Sequence, residues 1–266
     1  MKFALVARAA VASVVALAAL AAPSPSIAEP LTLEYRSYLL GLPIASASAT
    51  IELVGERYRV RGQLQSGGIV SLFAPWTQEA VSAGRLGAAG AVSAERHWQN
   101  GIYRGKARHL DLVYSSEQAV VTSATPDPDD RDPEKRVPAH VTGGTTDAMS
   151  GLLAVARQVS EGRGCDATIR VFDGRRRYDA TFSESGDAGG GPADAVECRF
   201  LITEIAGFSK KGGIATDPER PGRIWFRPAE PGSPAIPVRL ETATDWGTAV
   251  VELVRLQPAN RTVAKD

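Results

Sequence analysis

The chain contains few side chains of the types that drive catalysis. Its 3 histidines are His97, His109 and His140. No two of them are spaced so that one strand or helix face would present both as metal ligands. His109 and Asp111 lie two apart on a predicted strand, where alternate side chains share a face, so they could form an acid–base dyad. An exposed surface pair has the same spacing, and we favour that interpretation.

Several carboxylates remain open as acids or bases, because a sequence does not show which side chains converge. Glu34, Asp147 and Glu241 are such candidates. The chain has no Gly-x-Ser-x-Gly nucleophile turn, no His-Glu-x-x-His zinc motif and no phosphate-binding glycine loop. The sequence therefore favours a non-catalytic protein with no metal site and no cofactor.

The N-terminal residues have the three parts of an export signal. Lys2 and Arg8 precede an uncharged apolar run, and Ser26 and Ala28 are small residues at the −3 and −1 positions of a cleavage site. A membrane anchor is the alternative, but the run is shorter than the roughly 20 residues of a spanning helix. We expect residues 1–28 to be a cleaved signal peptide.

The mature chain would then comprise residues 29–266, with no transmembrane segment. Its length fits one all-β domain or two small ones, and we expect a single β-rich domain. The whole chain has 30 basic and 30 acidic residues. Since nucleic-acid-binding proteins usually have a basic face, this balance gives no reason to expect a nucleic-acid partner.

The predicted export bears on the two cysteines, because an exported chain leaves the reducing cytosol. Cys165 and Cys198 are far apart in sequence and lack the Cys-x-x-Cys spacing of a redox centre. Outside the cytosol, a lone pair of cysteines usually forms a disulfide. We therefore predict a structural bridge between them.

Cys165 is followed by a predicted hairpin rather than a binding loop. Asp173 and Gly174 separate two alternating runs and suit a two-residue turn, which would place Val171 opposite Arg176. In this register Cys165 and Val171 lie on the apolar face of the hairpin, and Arg177 lies on the solvated face. An anion-binding loop formed by the three arginines is the alternative, and the alternation favours the hairpin.

A second predicted hairpin, with its turn at 55–56, presents unusually small residues on its inner face. The register pairs Leu53 with Tyr58 and continues outwards from that pair. The small inward positions are Ala45, Ala47, Ala49 and Gly62. Either a helix or a second sheet packs closely there, as the usual density of protein interiors favours, or the face borders a cavity for an apolar ligand.

One segment has the periodicity of a helix, over about 145–160. It places Leu152 and Leu153 with Met149 on one face, and Thr145 or Thr146 could cap its start. The rest reads as short strands and turns, including a turn at Asn100-Gly101. We predict a mainly β fold, with an antiparallel curved sheet, sandwich or half-open barrel, and one main α-helix packed on it.

A set of short motifs occurs in a fixed order along the chain, namely Thr146–Ser150, Cys165, Val171–Tyr178, a second cysteine and Ala206-Gly207. In these motifs, and over most of its length from Tyr35 to about Leu256, the chain resembles a bacterial family known as domain of unknown function 3108. It implies an exported, β-rich envelope protein, and it supplies no activity and no catalytic residues.

These observations support two functional hypotheses. The first is a non-catalytic periplasmic protein that binds a lipid or another apolar small molecule inside the sheet. Its weakly indicated ligand-binding residues are Ala45, Ala47, Ala49, Gly62, Leu152 and Leu153. The second is a cell-envelope interaction or assembly module with a filled core, whose surface binds an envelope protein partner. An enzyme is the least favoured class.

Overall fold

The computed structural model describes residues 30–88, 90–127, 130, 133–185, 191–208, 214–229 and 233–258. Within these ranges the chain forms a 13-stranded sheet and two α-helices. The strands are β1 (Leu31–Leu39), β2 (Leu42–Val54), β3 (Arg57–Ser66), β4 (Trp76–Leu86), β5 (Val92–Tyr103), β6 (Lys106–Tyr114), β7 (Ala119–Thr125), β8 (Ala167–Phe172), β9 (Arg177–Glu184), β10 (Val196–Ala206), β11 (Gly222–Pro228), β12 (Ala235–Thr244) and β13 (Gly247–Pro258). The helices are α1 (Val70–Phe73) and α2 (Ala148–Ser160).

All strands belong to one antiparallel sheet with the order β7-β6-β5-β4-β3-β2-β1-β13-β12-β11-β10-β9-β8. Each half of the chain is a meander, and the two halves join where β1 pairs with β13. The edges are β7 and β8, which are linked by the connection that contains α2. The prediction of a mainly β fold with a curved antiparallel sheet and one main helix is confirmed, and of the architectures considered the half-open barrel describes it best.

The segment between β7 and α2 bridges the two edges, so the barrel is nearly closed. On the β7 side, the Thr142 hydroxyl accepts a hydrogen bond from the Ala119 amide at 3.2 Å. On the β8 side, the Thr146 amide donates to the Arg170 carbonyl at 2.9 Å, and the Phe172 amide donates to the Thr146 carbonyl at 3.0 Å. A loop hydroxyl at β7 and loop backbone at β8 therefore satisfy part of the edges that a further strand would otherwise pair.

Helix α2 packs inside the curved sheet and contacts β4 and β5 from one half and β8, β11 and β12 from the other. Its cap is Asp147, whose carboxylate accepts the amides of Met149 and Ser150. The prediction of a Thr145 or Thr146 cap is wrong. Asp147 takes the cap because its carboxylate reaches two exposed amides at the positive end of the helix, whereas the Thr145 hydroxyl donates to the Thr142 carbonyl.

The predicted disulfide joins Cys165 and Cys198, with their Cα atoms 5.7 Å apart. Both residues are fully buried among apolar side chains that include Phe200 and Val155. The bridge ties the segment just after α2 to β10. It therefore holds the C-terminal end of the helix against the sheet.

The predicted β8–β9 hairpin is present, but its predicted register is wrong by two residues. Val171 pairs with Tyr178 rather than with Arg176, and Phe172 with Arg177, so the loop has four residues. The Asp173 carboxylate accepts hydrogen bonds from the amides at 175 and 176, at 2.9 and 2.7 Å. This side-chain-capped turn replaces the two-residue turn. A shift of two leaves every side chain on its predicted face.

Arg177 also departs from the prediction, because it is buried rather than solvated. Its Nε donates to the Val141 carbonyl at 3.1 Å, and its Nη1 contacts the Asp179 carboxylate at 2.6 Å. The bridging segment covers this part of β9, which the alternation of β9 alone could not indicate.

Turn prediction succeeded at the β2–β3 hairpin and failed on β5. All the predicted β2–β3 pairs are present, from Leu53 with Tyr58 outwards. Asn100-Gly101 lies within β5, and the chain turns at Arg104 and Gly105 instead. A Cβ on Gly101 would lie 2.3 Å from the Thr77 carbonyl oxygen, so glycine permits a close approach of strands there rather than a turn. Strand β4 was not predicted.

The predicted signal peptide, residues 1–28, lies outside the described residues. The sequence of segment 185–192 is rich in glycine and typical of a flexible connection, and most of this segment also lies outside the described residues. Within the described part of the chain, no helix has the length and apolar character needed to cross a membrane.

Candidate functional site: an apolar cavity beside the central helix

The small residues of β2 and β3 face α2 and leave space in front of it. Ala47, Ala49 and Gly62 line this space, and Leu152 and Leu153 line it from the helix. A Cβ on Gly62 would lie 3.4 Å from the terminal methyl of Met149, so the helix reaches this face through a flexible side chain. Of the predicted ligand-binding residues, Ala45 alone is not in the lining.

The space is a cavity of about 290 Å³ between the helix and strands β1, β2, β3, β11, β12 and β13. Its wall is almost entirely apolar. Besides the small residues and the two leucines, the lining includes Leu33, Ile51, Val60, Ile224, Ala235, Leu240 and Val251. It forms because Ala47, Ala49 and Gly62 occupy inward positions where longer side chains would otherwise fill the interior to normal density.

Two polar side chains in the wall have partners that do not depend on a ligand. The Tyr35 hydroxyl donates to the Pro237 carbonyl at 2.9 Å, and burial raises the pKa of this tyrosine well above its usual range. The Arg239 Nε donates to Glu241 at 2.8 Å, and its Nη1 binds Glu252. These contacts leave the cavity suited to hydrocarbon rather than to a charged molecule.

The cavity opens beside Leu64. This side chain is on the inward face of β3, in register with Ala47, yet it is 42% exposed. Its exposure means that solvent reaches the inner face of the sheet at this level. A molecule with one polar end could keep that end in water there.

A second apolar cavity of about 270 Å³ lies on the other side of α2, towards β8, β9 and β10. It shares Leu152, Ile224 and Leu240 with the first cavity. Leu152 therefore separates two spaces in one interior. A change of its rotamer would alter the connection between them.

A buried polar cluster holds the start of α2. The Asp147 Oδ1 accepts from the Ser82 hydroxyl at 2.6 Å, and its Oδ2 accepts from the Ser150 hydroxyl at 2.6 Å. Tyr58 donates to the Ser150 hydroxyl at 2.7 Å, and burial raises the pKa of Tyr58 above its usual range. His97 Nδ1 lies 2.8 Å from the Ser82 hydroxyl. We call these five residues the polar cluster.

The polar cluster contains Ser, His and Asp but is not arranged as a catalytic triad. A nucleophilic serine must give its proton to the histidine. Ser82 has one hydroxyl proton and donates it to Asp147, so His97 Nδ1 must donate to Ser82. Ser82 is also fully buried. The arrangement fits a structural anchor for the helix rather than an activated nucleophile.

The other candidate acids and bases do not converge. His109 Nδ1 lies 2.6 Å from Asn100 Oδ1, while the Asp111 carboxylate pairs with Arg96, which supports the surface interpretation of His109 and Asp111. Glu34 lies 3.7 Å from Arg255 on the outer face. Within the described ranges, no group of three or more His, Cys, Asp and Glu side chains could hold a metal ion.

Sequence reasoning found five residues of the cavity wall, on β2, β3 and α2, but missed the polar cluster. Alternation and small size pointed to the wall residues of β2 and β3. Ser82, His97 and Asp147 are on three separate elements, and nothing in their local sequence indicates that they meet. An inward-facing serine and histidine at paired positions of β4 and β5 was the only available signal.

Comparison with known proteins identifies a family and a fold. The family model described as "Protein of unknown function (DUF3108)" matches residues 34–254. A solved structure, the beta-barrel-like protein of domain of unknown function DUF1849 from Brucella abortus, is similar with a TM-score of 0.50 and 11% identity. The match covers 87% of this chain and 98% of that chain, and at this identity it shows the fold alone. Comparison with curated proteins gives no match.

Proposed function

This chain belongs to the family described as protein of unknown function (DUF3108), and we propose that it is a non-catalytic periplasmic protein that binds a lipid or another amphipathic ligand inside its sheet. The observation that carries the proposal is the apolar cavity beside α2. Its volume of about 290 Å³ is close to the lower end of small-molecule pockets, which span roughly 300–1,000 Å³.

The chemistry of the wall favours an acyl chain over a polar ligand. The wall offers apolar side chains, and Tyr35 already donates its hydroxyl proton to a carbonyl of the protein. A hydrocarbon chain would gain from burial without leaving a polar group unpaired. The exposed position beside Leu64 provides a place for a polar head group.

The two cavities favour ligand binding over an interaction module with a filled core. They lie on either side of Leu152, and Met149 is the flexible side chain that reaches Gly62. Movement of these two side chains would let a longer chain extend from one cavity into the other. We place the protein in the periplasm because residues 1–28 resemble a cleavable signal and because a structural disulfide requires an oxidising compartment.

A fluorescent fatty acid titrated into the purified protein tests the proposal. Ala49→Leu fills the cavity, and Thr50→Leu places the same side chain on the outer face of the same strand as a matched control. We expect the wild type and Thr50→Leu to bind the probe and Ala49→Leu to bind about tenfold more weakly. Absence of binding by the wild type, or equal affinity of all three proteins, would refute the proposal.

A further inference from the structure

One end of the barrel carries a group of strongly exposed apolar side chains. They are Leu40, Leu42, Ile69, Leu72, Phe73 and Trp246, with exposures between 61% and 77%. No other large apolar side chain in the described residues is as exposed, since the next, Ile214, is 56% exposed. We call these six residues the apolar rim. Isolated exposed apolar residues are ordinary, but a cluster of this kind indicates an interaction surface.

The rim is contiguous because its residues come from neighbouring connections. They lie in the β1–β2 turn and at the first residue of β2, in the β3–β4 connection that contains α1, and in the β12–β13 turn. The strand order β3-β2-β1-β13-β12 makes these tips adjacent. The Gly67 amide donates to the Ile44 carbonyl at 2.8 Å, which ties the second tip to the first. A Cβ on Gly247 would lie 2.5 Å from the Leu40 side chain, so the β12–β13 turn is in contact with the β1–β2 turn.

Folding alone does not account for the rim residues. Helix α1 has no buried residue, so its apolar side chains add nothing to the core. Leu40 is 71% exposed and has φ of 50°, a conformation that favours glycine or asparagine. An apolar side chain that is exposed and adopts an unfavourable backbone conformation is better explained by contact with something outside the chain.

The charge around the rim matches the surface of a lipid bilayer. Segments 40–43 and 67–75 contain no charged residue, and Asp245 is the one acid in the β12–β13 turn. The next tip along the same end carries Tyr103, 45% exposed, with Arg104 stacked on its ring at 5.8 Å, and Lys106 follows. In a bilayer, apolar side chains are favoured at the acyl boundary, and aromatic rings and cations are favoured at the level of the head groups. The apolar tips and the neighbouring tip with Tyr103 and Arg104 match these two layers.

The opposite end of the barrel has a different character. Its turns carry exposed charged residues, namely Glu56, Glu117, Glu161 and Arg163. Among the described residues at this end, the exposed apolar side chains include Val54 and Val196, at 54% and 44%. Among the described residues, large apolar side chains that are at least 61% exposed therefore occur only at the rim end, which also carries exposed charged residues such as Glu219 and Arg220.

We propose that the apolar rim docks this protein onto the surface of a lipid bilayer, with α1 and the two flanking turns in the interfacial layer. The rim consists of separate protruding tips rather than a groove, so it suits a deformable surface better than a partner of fixed shape. Binding of this kind is peripheral and reversible. The inference does not rest on the cavity, because no rim residue lines it.

Vesicle co-sedimentation tests the proposal with protein purified from the periplasm and shown by intact mass to begin at Glu29. Phosphatidylcholine vesicles, with and without phosphatidylglycerol, are the probe. The Leu72→Ser, Phe73→Ser double variant removes apolar area from the rim. Val54→Ser with Val196→Ser is the matched control at the opposite end. We expect the wild type and the control to sediment with vesicles and the rim variant to partition at least about tenfold less.

Three results would overturn the proposal. One is a wild type that stays in the supernatant with both kinds of vesicle. Another is an equal loss of binding in the rim variant and the control. The third is self-association through the rim, seen by analytical ultracentrifugation as a wild-type dimer that the rim variant abolishes, in the absence of vesicle binding. Unchanged melting temperatures of the variants would show that any loss is not caused by unfolding.

Discussion

The first turn of α2 and its middle turns face the same interior but contact it in different ways. At the first turn, Asp147 accepts hydrogen bonds from two backbone amides and from the hydroxyls of Ser82 and Ser150. At the middle turns, Leu152 lies between two apolar cavities. Directional bonds fix the start of the helix, whereas the Leu152 side of its middle borders open space. The comparison shows that a helix with a firmly anchored first turn can still border a cavity large enough for part of a ligand.

The disulfide gives the helix a second anchor, and its removal should have the largest effect. Cys165→Ser or Cys198→Ser should lower the free energy of unfolding by about 2–5 kcal/mol, because the bridge closes a long loop in the unfolded chain. Urea denaturation measures this loss. Reductant should lower the melting temperature of the wild type and leave either variant unchanged. Two titratable thiols in non-reduced, periplasm-purified protein would contradict the account.

Loss of the polar anchor should rank next. Asp147→Ala removes the helix cap and leaves the buried hydroxyls of Ser82 and Ser150 without their acceptor, so we expect a loss of about 2–4 kcal/mol. Asp147→Asn keeps a capping oxygen and should lose less. Glu56→Ala, in an exposed turn, is the control and should have little effect. Equal stability of Asp147→Ala and the wild type in urea would show that the cluster does not anchor the helix.

Adjacent leucines on α2 allow a direct comparison of a position that borders one cavity, Leu153, with a position that borders two, Leu152. Leu153 is 9% exposed and packs against Tyr58 and Val60, so Leu153→Ala should lower the free energy of unfolding by about 2–3 kcal/mol. Leu152 borders both cavities and already lacks neighbours on those sides. Leu152→Ala should therefore lose less than about 1.5 kcal/mol. If both variants lower the free energy of unfolding by the same amount, the Leu152 side of the helix is packed as tightly as the Leu153 side, which would contradict the account.

Asp111, a carboxylate near the surface, should contribute less to the free energy of unfolding than the buried Asp147. The Arg96 side chain donates a hydrogen bond to Asp111 at 2.9 Å and holds the pKa of this carboxyl below its usual value. A lowered pKa in the folded state adds stability above the unfolded pKa, and this stability disappears as the pH falls through the folded pKa. Asp111→Asn should cost less than about 1 kcal/mol at pH 7 and nothing near pH 2. Urea denaturation across this pH range measures the difference, and a loss that persists at low pH would contradict the ion-pair explanation.

Features that depend on interactions between residues close in sequence could be predicted, and features that depend on contacts between distant elements could not. Local signals were enough for the β2–β3 hairpin, where a two-residue turn and alternation determine the register. The β8–β9 register failed because the Asp173 side chain stabilises a longer turn. The part of the cavity wall on β2 and β3 was predictable from small residues on an inward face, whereas the part on β1, β11, β12 and β13 was not. The polar cluster was not, because Ser82, His97 and Asp147 meet only through the long-range packing of α2 against β4 and β5.

The most direct test of the central claim is mass spectrometry of an organic extract of protein purified from cells. The account predicts a lipid or another amphipathic molecule in extracts of the wild type and of Thr50→Leu, and much less in an extract of Ala49→Leu. No such molecule from the wild type, or the same amount from Ala49→Leu, would contradict the claim that the cavity beside α2 holds a ligand.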